Sequence, residues 1–249
     1  MDQADTRMSF FEHLGELRLR IILSIVAIGV GFLATFYFSE QIIDFLAEPV
    51  HAKGVKLVFL SAVEPFWTNM KVAMISGFFL VLPFVLYQVW AFVSPGLHPH
   101  ERRYAVPFVV VGTLFFAIGV TFAQLVIKRY AIKFLLEFKT AGLTPTLSVG
   151  RYVDLILKLT IAFGLVFELP LAITVASRMG LVTPEFLAKN RKYAVLLSFV
   201  AAAILTPTPD WFNQTLMAGP IIILYEVGIL AARIFGRKRT AAPTSGERK

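Results

Sequence analysis

VAMISGFFLVLPFVLYQVWAFVSPGL, residues 72–97, decides the class of this protein: no charged residue occurs between positions 72 and 100. An α-helix rises about 1.5 Å per residue, so some 20 apolar residues cross a hydrocarbon core of roughly 30 Å. Working outward, five more runs separate the charges, at residues 21–39, 104–127, 159–177, 193–209 and 211–232. Two of them contain a single acid, Glu168 and Glu226. The expectation is one all-α domain of six transmembrane helices over residues 1–235. A basic, small-residue tail over 236–249 should be disordered.

Composition agrees. Of 249 residues, 57% are hydrophobic and only 16% charged, with a mean hydropathy of +0.73. Soluble domains are about a quarter charged, so an ordinary soluble enzyme and a disordered chain are both excluded. The net charge of +8 lies between apolar runs and in the tail. That placement suits membrane topology and anionic headgroups rather than nucleic acid. The chain has no cysteine, which removes disulfides, thiolate nucleophiles and Cys-ligated metals. The first twenty residues are amphipathic and lack a small-residue cleavage site, so they do not read as a signal peptide.

Orientation follows from Lys and Arg near the spans. With both termini on one side, that side carries 15 basic residues and the other 9, which predicts cytoplasmic termini, N-in and C-in. The fifth run is short, at most ~25 Å as a helix, and Pro207 and Pro209 should end it early. Segments five and six are therefore expected as two short helices in a tight, undersized hairpin that thins the bilayer locally. Between the first two spans, QIIDFLAEPV (41–50) reads as amphipathic helix and KGVKLVFL (53–60) as extended chain.

Glu168 is the most informative single residue. A mid-span carboxylate costs several kcal/mol unless protonated, paired or facing water. Pro170 should kink the helix beside it. Ser9 and Glu12 have capping-box spacing, so a helix should begin at Phe10. Glu12, Glu16 and Arg20 share one face of that helix, and spacing alone favours a solvated Glu16–Arg20 pair. Glu101, in the short loop SPGLHPHERR (94–103), would lie near that helix. Two such carboxylates could clamp a guanidinium by paired hydrogen bonds. Asp210 reads equally as a functional acid or as the turn or N-cap residue of segment six. His98, His100 and Glu101 form no tetrahedral ligand set. There is no HExxH, phosphate loop or G-x-S-x-G, so neither an enzyme nor a cofactor or metal is expected. A secondary transporter would need more polar residues at mid-depth, and an intramembrane enzyme would lack both Cys and an in-span His.

Four motifs, in order, carry a resemblance: HLGELRLR (13–20), YQVWAFVSPGLHPHERR (87–103), FGLVFELPLAI (163–173) and LTPTPDWFNQTL (205–216). Together they resemble TatC, the multispanning subunit of the twin-arginine protein translocase, over nearly the whole chain. The resemblance implies six helices in a concave bundle and both termini in the cytoplasm of a bacterium, whose inner membrane the chain spans. It implies a receptor for twin-arginine signal peptides of folded cargo, with TatA and TatB as partners, a homo-oligomer within a larger complex, and export driven by the proton-motive force. It assigns Glu16, Arg18, Phe92, Glu101 and Arg103 to signal-peptide recognition. It matches Glu168 to the intramembrane polar position, Pro49 and Phe66 to the first external loop, and Asp210 to the hairpin acid. Leu19 and Pro99 stand where some members carry a basic residue, which lowers local positive charge.

Overall fold

The computed structural model describes residues 10–94, 105–137, 147–206 and 210–235. Ten helices, α1 to α10, account for most of them. α1 (Phe10–Phe36) starts where the spacing places it; its expected cap, Ser9, lies outside the described residues. The amphipathic stretch forms α2 (Ser39–His51), and part of the extended stretch forms β1 (Leu57–Val58). α3 (Glu64–Val93) is the longest helix. α4 (Ala105–Phe122) continues through a π-helical turn, Ala123–Ile127, into α5 (Lys128–Glu137). After β2 (Leu147–Ser148), α6 (Val149–Phe167) and α7 (Leu169–Arg178) follow, broken only at Glu168. α8 (Pro184–Lys189), α9 (Arg191–Leu205) and α10 (Trp211–Phe235) complete the chain.

Among the described residues, five helical stretches are long and apolar enough to cross a membrane: His13–Phe36, Glu64–Val93, Ala105–Lys133, Val149–Arg178 and Trp211–Phe235. They overrun the charge-free runs because Lys and Arg at a helix end can extend their polar heads to the interface. α9 has 15 residues, about 22 Å of helix, which agrees with a short fifth segment. The sixth segment is a correction, since α10 has 25 residues and is not short. Its acid, Glu226, lies nine residues before the end of α10 and pairs with Arg191; Glu is a good helix former, so the helix runs on past it. The all-α expectation also has a small exception. β1 and β2 pair in parallel, Leu57 with Leu147 and Val58 with Ser148, joining the two long inter-helix loops.

α1 lies along α3, where Gly31 and Gly77 bring the backbones into contact. A Cβ on Gly77 would sit 2.4 Å from the Phe32 nitrogen. Small residues at such a crossing allow the close packing that holds helices together in lipid. α7 ends in a turn at Gly180, whose φ of +73° favours glycine.

Two buried clusters hold the bundle. One joins α2, α3, α5 and α6 through Leu46, Val50, Val72, Ile132 and Val153. The other joins α6, α9 and α10 with the π-helical turn through Ile127, Leu159, Phe163, Ala202 and Met217. At the end bearing the strand pair, Glu64 binds both loops. Its carboxylate accepts the Leu60 N–H at 2.6 Å, the Gly150 N–H at 2.7 Å and the Ser148 hydroxyl. The Tyr152 hydroxyl donates to the Leu46 carbonyl at 2.6 Å and ties α2 to α6. The Lys158 ammonium donates to the Ile204 carbonyl, one of the last carbonyls of α9, which the helix itself cannot satisfy.

Candidate functional site

At the opposite end, the start of α1 meets the end of α3. Glu16 and Arg20 lie one turn apart on α1, which brings their side chains together. An Arg20 Nη2–H donates to Glu16 Oε1 at 3.1 Å, and an Arg20 Nη1–H donates to Gln88 Oε1 of α3 at 3.0 Å. The pair is not the solvated face that spacing favoured, because the Glu16 and Arg20 side chains are only 18% and 27% exposed. Gln88 is buried. Glu16 Oε2 is also buried, with no hydrogen-bond partner among the described residues. Arg20 and Gln88 thus hold in place a carboxylate that retains acceptor capacity for a cation.

One turn along the same seam, His13 stacks on Phe92 with ring centroids 4.5 Å apart and planes 13° apart. The fold therefore brings Glu16 and Phe92 to one surface, while Arg18 points to the exterior. Glu101 and Arg103 lie outside the described residues, as do His98 and His100. Sequence reasoning missed Gln88, although an amide in a charge-free run was a visible signal. It also missed His13, which nothing in the sequence pairs with Phe92.

Glu168 lies where α6 gives way to α7. Pro170, at the second position of α7, has no N–H to offer the preceding turn. The Glu168 N–H donates to the Leu165 carbonyl at 3.1 Å, and its own carbonyl accepts the Ala172 N–H at 2.9 Å. Its side chain faces α4: a Cβ on Gly112 would come within 3.3 Å of Oε2. Oε1 is buried with no hydrogen-bond partner among the described residues. Glycine at 112 therefore leaves room for a carboxyl between two transmembrane helices.

Asp210 caps α10, with Oδ1 accepting the Asn213 N–H at 2.8 Å and Oδ2 accepting the Asn213 side-chain amide at 2.9 Å. This is the N-cap reading of its position. Pro49 lies near the end of α2, and Phe66 is exposed at the start of α3, edge-on to Trp67. Glu226 forms a two-point ion pair with Arg191, at 2.6 and 2.7 Å, that joins α9 to α10. Among the described residues no group of His, Asp or Glu is arranged to hold a metal.

Comparison with known proteins identifies this architecture. The profile of the family described as TatC, Sec-independent protein translocase protein, matches residues 12–220. The TatC of Desulforapulum autotrophicum is 42% identical over 242 residues, covering 96% of this chain and 89% of that one. The TatC of Carboxydothermus hydrogenoformans is 41% identical, covering 98% and 99%. A crystal structure described as the twin arginine translocase receptor TatC superimposes with a TM-score of 0.81 at 40% identity, covering 91% of this chain and all of that one. The chain belongs to the TatC family of Sec-independent protein translocase proteins.

Proposed function

We propose that this protein is the receptor subunit of a twin-arginine export system in a bacterial inner membrane. It binds the paired arginines of signal peptides on folded cargo at the face built by Glu16, Arg18 and Phe92, together with Glu101 and Arg103 of the following loop. The observation that carries this reading is the part-buried Glu16 carboxylate. It is held by Arg20, which Gln88 anchors, and one of its oxygens has no donor among the described residues, in a chain similar to a solved twin arginine translocase receptor. A guanidinium binds a carboxylate in fixed geometry and keeps its charge at any working pH. Two carboxylates, Glu16 and Glu101, would suit two consecutive arginines.

Six helices cross the membrane in this proposal, with α9 as the short fifth, in a concave bundle whose termini both face the cytoplasm. TatA and TatB pack against the α9–α10 hairpin, where a span of about 22 Å thins the bilayer around the docking edge. Glu168 presents a polar anchor for a partner helix at mid-depth, and further copies of this chain assemble into the larger complex. Pro49 and Phe66 act in the external loop, and Asp210 sets the start of α10 at the hairpin. The proton-motive force drives transport.

Photocrosslinking of a signal peptide to the protein in membranes tests the receptor face. An Arg-Arg peptide should crosslink, while a Lys-Lys peptide, Glu16→Ala and Glu101→Ala should each reduce the yield about tenfold or more, the scale of a charge-assisted pair. Crosslinking indifferent to all three changes would remove the carboxylate clamp.

A further inference from the structure

The seam between α1 and α3 has three levels. Arg20 meets Gln88 at the first, Glu16 lies one turn nearer the start of α1, and His13 meets Phe92 at the last. Residues three and four apart share a helix face, so Glu16 is flanked along α1 by a cation on one side and a ring on the other. Its buried Oε2 has no donor among the described residues. A cation drawn to that oxygen is repelled on the Arg20 side and meets an aromatic ring on the His13 side.

The ring pair differs from the others in the molecule. Its planes are 13° from parallel, whereas every other ring pair among the described residues is inclined by 36° or more. Tilted and edge-on pairs are how rings fill a core. A parallel pair instead leaves a flat outer face on which a third planar group can continue the stack, and both His13 and Phe92 are only half-buried. This matters because a carboxylate by itself attracts lysine as well as arginine. A guanidinium is planar, weakly hydrated and stacks on aromatic faces, while an ammonium is a compact, strongly hydrated point charge. A flat ring one turn from the carboxylate therefore favours the first over the second.

We propose that His13, held flat by Phe92, selects arginine over lysine in the bound signal peptide. This rests on the receptor reading given above and adds to it the residue that tells the two cations apart. One guanidinium lies on the outer face of the His13 ring while its edge donates to the Glu16 carboxylate. Phe92, on the other helix, acts through His13 by fixing the plane of the ring. A contact of this kind at a half-buried ring is worth a factor of about five. Lysine gains the attraction of the carboxylate without that factor.

The test titrates photoreactive Arg-Arg and Lys-Lys signal peptides, otherwise identical, against the full chain in membranes. The readout is the ratio of their half-maximal crosslinking concentrations. His13→Ala should lower the preference for Arg-Arg about fivefold, and His13→Leu, which keeps bulk without a π face, should do the same. His13→Phe, which restores a flat ring, should bring the preference back to near the wild-type value. A preference unchanged in His13→Ala and His13→Leu would overturn the proposal. So would an equal loss of both peptides, the mark of a ring that only packs, or a failure of His13→Phe to restore the ratio. If His13→Ala fails to fold, His13→Leu and His13→Phe still decide. Wild-type crosslinking indifferent both to Lys-Lys and to Glu16→Ala would remove the receptor reading and this proposal with it. An arginine preference that depends on Glu16 but not on His13 would remove this proposal alone.

Discussion

Glu16 and Glu168 each keep one carboxylate oxygen buried without a donor among the described residues, but they are held in different ways. Glu16 is fixed by Arg20, which is itself fixed by Gln88 across the α1–α3 seam, so its remaining oxygen is aimed by its neighbours. Glu168 has only the space that Gly112 leaves it and the break before Pro170. A carboxyl with a buried oxygen left unbonded among the described residues does not stabilise the bundle. Glu168→Ala should therefore leave the thermal stability of the purified protein unchanged or raised. It should also lower co-purification of the single-span partners more than signal-peptide crosslinking. A clear fall in melting temperature with partner capture intact would make Glu168 a packing residue. Its standing as a candidate was legible in the sequence, because an acid inside an apolar run is costly to keep at membrane depth. That of Gln88 was harder to see, since an amide becomes significant only when the fold supplies the arginine it meets.

At the scale of elements, the α1–α3 crossing is the most exposed to substitution. α1 is largely exposed apart from this seam, and the Gly31–Gly77 contact is backbone against backbone. Such atoms cannot step aside as a flexible side chain does. Gly77→Val should cost ~1–3 kcal/mol or more by overpacking, read as a lower melting temperature and easier proteolysis of α1. A variant of wild-type stability would show that the helices do not meet there. α2 depends on a different bond. Tyr152→Phe removes the hydroxyl donor to the Leu46 carbonyl and should cost about 0.5–1.5 kcal/mol, seen as faster amide exchange in Ser39–His51. Exchange unchanged from wild type would mean that apolar packing alone holds α2. Helix identities and approximate positions were legible from charge-free runs. Their ends were not, because charged residues near a span's end do not stop the helix, and α10 runs on past the paired Glu226 to 25 residues.

For the whole molecule, the excess of basic residues on one side predicts that a cysteine placed in the tail of this cysteine-free chain will label only from the cytoplasm. Labelling from the outside would overturn the orientation, and with it the placement of the receptor face. What the sequence determined by itself was the solvent: apolar runs of spanning length admit only helices in a bilayer. The order of four motifs also carried the family. The tertiary structure alone decided which residues meet. The joining of two distant loops by β1, β2 and Glu64, the anchoring by Gln88 of the Arg20 that holds Glu16, and a cavity between α3, α4, α7 and α10 all depend on helices far apart in the chain. Periodicity within one segment says which face is apolar, but between membrane helices no hydrophobic effect selects partners. Small-residue contacts and a few polar groups do so instead, and their matches exist only once the helices are side by side.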